Sequence, residues 1–112
     1  MQDYKEIVKG RVVTGPDRQP VVGATVSVFD KDMLLNDHLG FATTDSDGNF
    51  SVEFRWSDFK DNRFEDRPDI FVKVANPATG KTIRTKVYDE LSGELAEDDS
   101  VEVMDLGEIP MD

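Results

Sequence analysis

Gly23-Ala-Thr-Val-Ser-Val-Phe-Asp30 decides the fold class. In an extended chain Ala24, Val26 and Val28 share one face and Thr25, Ser27 and Phe29 the other, because side chains alternate along a strand. Upstream, Gly15-Pro-Asp-Arg-Gln-Pro20 is a turn by composition, and residues 6–14 before it are rich in β-branched side chains. Downstream, Leu39-Gly-Phe-Ala-Thr-Thr44 and Asn49-Phe-Ser-Val-Glu-Phe54 flank Asp45-Ser-Asp-Gly48. Gly48 can take the positive φ of a tight turn, so these two strands are expected to pair as a hairpin. Residues 69–75 and 81–88, joined by the turn Asn76-Pro-Ala-Thr-Gly80, and residues 100–107 bring the expected strands to seven. Turn signals fall about every eight to twelve residues and no helical period interrupts them. The sequence therefore predicts an all-β, seven-stranded antiparallel β-sandwich, with Phe29, Phe50, Phe54 and Phe71 in its core.

A length of 112 residues suits one domain, taken as 1–112. Acidic residues outnumber basic ones by 24 to 13, a net charge of −11. That balance excludes nucleic acid as a partner, since phosphate binding needs a basic surface, and otherwise serves solubility. The longest apolar stretches, Val21-Val22 and Met33-Leu-Leu35, are too short for a transmembrane span, and no secretory signal opens the chain. With no cysteine there is neither disulfide nor thiolate chemistry. Between Asp89 and Asp112 there is no Lys or Arg, whereas Lys5, Lys9 and Arg11, and again Lys81, Arg84 and Lys86, are clustered. An acidic C-terminal strand beside one of these basic strands would help fix the pairing.

Val8-Lys-Gly-Arg-Val, then Pro20-Val-Val-Gly-Ala-Thr-Val26, then Thr44-Asp-Ser-Asp-Gly-Asn-Phe50 form an ordered series of motifs. The series resembles the prealbumin-like sandwiches, the transthyretin-like and carboxypeptidase regulatory-like domains, over residues 8–54 and more loosely to 74. The resemblance implies a prealbumin-like Greek key and an extracellular or appended module, part of an exported protein. Two enzyme families use related sandwiches. Hydroxyisourate hydrolases need several histidines and a C-terminal Tyr-Arg-Gly-Ser, and intradiol dioxygenases hold iron with two tyrosines and two histidines. This chain offers Tyr4, Tyr88 and one histidine, His38, so neither set assembles within it.

The acidic loop offers other chemistry. Asp30, Asp32, Asn36 and Asp37 supply the hard oxygen ligands that Ca²⁺ takes, and the segment resembles a calcium loop of C2 domains. The alternative is a solvated turn whose Asp and Asn side chains cap their own backbone. Asp45-Ser-Asp-Gly48 is a turn and not an EF-hand, because its glycine is fourth and strands flank it. Met33, Leu34 and Leu35 at the tip of that loop, with Trp56 and Phe59 in the irregular segment 56–68, are candidates for a binding surface or for packing over the sandwich end.

Together these features read as a non-catalytic binding or accessory module. Its partner would be a protein or cell-surface ligand, bridged by Ca²⁺ if the loop is a site, and edge strands leave a homodimer open. A structural spacer and a small hydrolase are the alternatives. If calcium occupies the 30–37 loop, Asp32→Ala or Asp37→Ala lowers the melting temperature in calcium and leaves it unchanged in chelator. Thermal melts in both buffers check this, and equal losses in both would leave a solvated turn.

Overall fold

Lys5–Thr14 forms strand β1, the element on which one sheet is assembled. The computed structural model describes residues 5–30, 37–55, 70–88, 94–95 and 101–111, with the backbone alone for 37, 94, 95, 101 and 102. Strands β2 (Gln19–Pro20), β3 (Thr25–Asp30), β4 (Asp37–Thr43) and β5 (Asn49–Arg55) follow. Then come β6 (Ile70–Asn76), β7 (Lys81–Arg84), β8 (Glu94–Leu95) and β9 (Val101–Pro110). One sheet has the order β2-β1-β9-β8, with β5 also paired to β1, and the other the order β4-β3-β6-β7. The expected all-β sandwich is what forms. Two-residue β2 and β8 join the seven expected strands, and β7 stops at Arg84 instead of reaching 88.

Alternation sets the core. Along β5, Phe50, Val52 and Phe54 are buried while Asn49, Ser51, Glu53 and Arg55 are exposed. They meet Val26 and Val28 of β3, Ile70, Val72 and Val74 of β6, and Val8 and Val12 of β1 in one apolar cluster. Burial of such side chains is the main favourable term in folding. Every pairing is antiparallel except β1 with β9, which is parallel. Parallel neighbours need a crossover, and here the rest of the chain supplies it.

Three expectations are corrected. The strands flanking residues 45–48 do not pair: β4 pairs with β3 in one sheet and β5 with β1 in the other. The turn is a corner between layers. Asp45 Oδ1 accepts the Asp47 and Asn49 N–H groups at 2.9 Å each, and the Val12 N–H donates to Gly48 O at 2.8 Å. Thr44, buried beside it, donates to Val21 O at 2.6 Å and accepts from the Ala24 N–H at 2.9 Å, tying the corner to the start of β3.

Second, the last strand does not end at Gly107. Lys9 pairs with Asp105 but Arg11 with Glu108, so Leu106 and Gly107 together oppose Gly10 in a β-bulge. Gly107 takes φ 72°, and its N–H donates to Asp105 Oδ1 at 2.9 Å. Without the extra residue, Glu108 would share the inward face of Met104 and Leu106. With it, Ile109 is buried instead, and Glu108 pairs outside with Arg11 at 3.0 Å and with Arg18. The acidic C-terminal strand does lie beside the basic first strand.

Third, Phe29 and Phe71 do not join the cluster between the sheets: Phe71 is fully buried, as expected of a core residue, but on the other face of the four-stranded sheet, beside the half-buried Phe29. No helix among the described residues is long and apolar enough to cross a membrane.

The corner depends on Gly48, whose φ is 79° and where an added Cβ would stand 2.6 Å from Val12 O. Gly48→Ala is expected to lower unfolding free energy by about 2 kcal/mol or more, from left-handed strain plus that clash. Urea titration measures the loss.

Candidate functional site: the outer face of the four-stranded sheet

The register of β4-β3-β6-β7 places aromatic and basic side chains in adjoining rows on one outward surface. Phe29 pairs with His38 on one side and Phe71 on the other. Their rings make a continuous row, with centroids 5.0 Å apart for Phe29 and His38 and 5.1 Å for the stacked pair Phe29 and Phe71. Ser27 pairs with Phe41 and with Lys73, and Lys73 with Arg84, giving a second row. The two rows are knit together. His38 stacks on Phe41 at 6.5 Å, the Lys73 ammonium lies 5.3 Å from the Phe29 ring centre, and the Arg84 guanidinium lies 4.1 Å above Phe71.

Such cation–π contacts hold the basic groups against the sheet while leaving their charge exposed. Phe71 is fully buried, flanked by Phe29 and capped by Arg84, whereas Phe41 keeps 66% of its surface in solvent. Lys73 and Arg84 are both exposed, and neither has a carboxylate partner among the described residues. The outward positions of these four strands carry no carboxylate among the described residues either. The other sheet differs: Lys5 pairs with Glu53 at 3.6 Å, and Arg11 and Arg18 share Glu108. Among the described residues this face carries basic and aromatic side chains.

A concavity of about 700 Å³ opens where β1, β5, β9 and the 45–48 corner meet. Lys9, Arg11, Asp45, Asp105 and Glu108 line it around Phe50, so both signs of charge are present and Arg11 is already paired. It offers no segregated charge to a ligand.

The sequence-derived candidates fare unevenly. Asp30 and Asp37 are opposed in the β3–β4 register, while Asp32 and Asn36 lie outside the described residues. So do Met33, Leu34, Leu35, Trp56, Phe59 and Tyr4. Among the described residues no three His, Cys, Asp or Glu side chains gather as a metal-holding group. His38 is exposed on β4. Phe41, Lys73 and Arg84 were not singled out as a site by sequence reasoning. The signal for them was present in the outward phase of β4, β6 and β7, but only the register brings that phase together.

Tyr88 bridges to Ile70 beyond the end of β7. Burial raises its phenol above the usual value, partly opposed by a hydrogen bond with Thr85.

No protein-family profile matches the chain, and no curated protein does. Solved structures do. A 9R-lipoxygenase from Cyanothece PCC8801 matches 97% of the chain with TM-score 0.60 and 19% identity. Chlorocatechol 1,2-dioxygenase from Pseudomonas putida matches 96%, with TM-score 0.55 and 16% identity. The dioxygenase domain of a dioxygenase and carbohydrate-binding protein fusion from Streptomyces sp. SirexAA-E matches 93%, with TM-score 0.54 and 16% identity. The chain spans 16% of the lipoxygenase's length and 61% and 79% of the two dioxygenase chains. At these identities the likeness establishes the fold, a β-sandwich of a kind built into oxygenases.

This overturns the expectation of a non-catalytic binding or accessory module, and of the spacer and hydrolase set beside it. That expectation counted metal donors within 112 residues. A fold can belong to an enzyme without every donor lying in the same strands.

The raised phenol of Tyr88 is neutral when protonated, so the folded state holds its proton more tightly than the unfolded chain. Its contribution to stability is therefore complete below about pH 10, the unfolded value, and is lost as pH rises through the folded value. Tyr88→Phe is expected to flatten the alkaline limb of stability against pH, measured by urea titration from pH 8 to 11.

Proposed function

We propose that this chain is a β-sandwich unit of an oxygenase-class enzyme, with the outer face of its four-stranded sheet turned toward the organic substrate. The observation that carries the reading is coverage: between 93% and 97% of the chain follows the fold of three oxygenase structures. The prealbumin-like motifs of residues 8–54 agree with it, since intradiol dioxygenases are built on a related sandwich. The basic, aromatic face adds a surface suited to a planar or acidic organic molecule.

Iron of the intradiol kind does not fit the described donors. His38 lies on edge strand β4, whereas Tyr88 is bridged to β6 on its far side, three strand positions away. The described residues offer one histidine and one tyrosine, where that iron takes two of each. Within this reading the oxygen chemistry is completed by residues outside the described strands, and this face supplies the substrate contact.

The protein, supplied with ferrous or ferric iron, is expected to consume oxygen when given chlorocatechol or an unsaturated lipid. An oxygen electrode records the rate. No uptake with either class, at either oxidation state of iron, would overturn the reading.

A further inference from the structure

We propose that the Asp47–Gly48 peptide is this chain's site of aspartate isomerisation, a modification that the folded corner restrains and that, once made, keeps the corner from closing.

Asp47 is the only Asp or Asn in the 112 residues that a glycine follows. There the next backbone nitrogen can approach the side-chain carboxyl with no Cβ in its way. The Gly48 nitrogen, its proton lost to solvent, attacks Asp47 Cγ. The N–Cγ bond forms and the carboxyl hydroxyl leaves as water, giving a five-membered succinimide. Water then adds at either ring carbonyl and breaks one C–N bond. Cleavage at Cγ restores aspartate, whereas cleavage at the backbone carbon leaves isoaspartate, with the main chain running through Cγ. Mass and oxidation state are unchanged, and water is the only reagent.

Asp47 is exposed, so its carboxyl is open to solvent, but the peptide joining it to Gly48 is held at both polar atoms. Arg11 Nε donates to Asp47 O at 2.9 Å, and the Gly48 N–H donates to Asp45 O at 3.0 Å. Bringing the Gly48 nitrogen onto Cγ means rotating this rigid peptide plane, which breaks both bonds. Isomerisation therefore proceeds through local opening of the corner. Its product has one more carbon in the main chain before Gly48. The corner has no slack for that carbon: even a Cβ on Gly48 would stand 2.6 Å from Val12 O. The bond from the Val12 N–H to Gly48 O is then lost, and with it the tie between the corner and β1. Asp45, in the same turn, is followed by serine and its Oδ1 is occupied by the Asp47 and Asn49 N–H groups, so it stays intact in the folded protein.

The test is peptide mapping for isoaspartate after incubation at neutral pH, folded and in urea, alongside hydrogen exchange at Gly48 and Val12. Isoaspartate at residue 47 is expected to form at least about tenfold more slowly in the folded protein, and to speed up in step with Gly48 exchange as urea is raised below the unfolding transition. Asp47→Glu should abolish the product. Asp45→Ala, which removes the cap, should bring the folded rate toward the unfolded one. Should that variant not fold, the urea series decides on the natural sequence. The isomerised protein, once separated, is expected to exchange its Val12 amide freely.

Equal rates in the folded and unfolded protein would overturn the proposal, and so would a folded rate indifferent to corner opening. Isoaspartate arising elsewhere in the unfolded chain ahead of residue 47 would overturn the choice of site. A protected Val12 amide in the isomerised protein would overturn the claim that the corner cannot close.

Discussion

The architecture turns on the corner at residues 45–48. Gly48 passes so close to β1 that its carbonyl takes the Val12 N–H at 2.8 Å, and a side chain there would strike the Val12 carbonyl. With Asp45 capping the turn from within, the chain leaves β4 in one sheet and enters β5 in the other. The division of the strands between two sheets follows from that change of layer. Were β4 and β5 paired as a hairpin, β4 would stand at the edge of the β1 sheet beside β5, and the row from Phe41 through Ser27 to Lys73 would not exist.

The strands themselves were legible. Alternation in residues 24–29 and 50–54 identified both elements, and the inward faces of Ala24, Val26 and Val28 and of Phe50, Val52 and Phe54 are as the period demands. Two things were not. A turn such as Asp-Ser-Asp-Gly fixes local backbone, but whether the strands beside it pair or face each other depends on their remote partners, Val12 and Val28 among them. A bulge adds one residue of unreadable consequence: only the shift from Lys9↔Asp105 to Arg11↔Glu108 explains why Glu108 lies outside while Ile109 is buried.

The aromatic residues show the limit of hydrophobicity as a guide. Phe29, Phe50, Phe54 and Phe71 look alike in sequence, yet the first and last lie on the outer face. Their phase gives this away in retrospect. Phe29 alternates with Ser27 and Thr25, and Phe71 with Lys73 and Ala75, which are surface residues. A phenylalanine on a polar phase is a site candidate before it is a core residue, because keeping its ring outside forgoes burial that the opposite phase would provide. Phe71 is fully buried, with Phe29 stacked beside it and Arg84 over its ring, whereas Phe41 stays largely exposed.

The charge distribution separates two uses of the same residue types. On the five-stranded sheet, Lys5, Arg11 and Arg18 meet Glu53 and Glu108, and the surface is close to locally neutral. Exposed pairs of that kind contribute little to stability, but they fix register and consume charge. On the four-stranded sheet Lys73 and Arg84 keep their charge and face each other across the ladder. A fold shared with oxygenases gives no residue its role, since the same sandwich can serve many chemistries. What distinguishes this chain is the surface it lays over that scaffold. On it Lys73 and Arg84 face each other across the ladder and lie against the rings of Phe29 and Phe71.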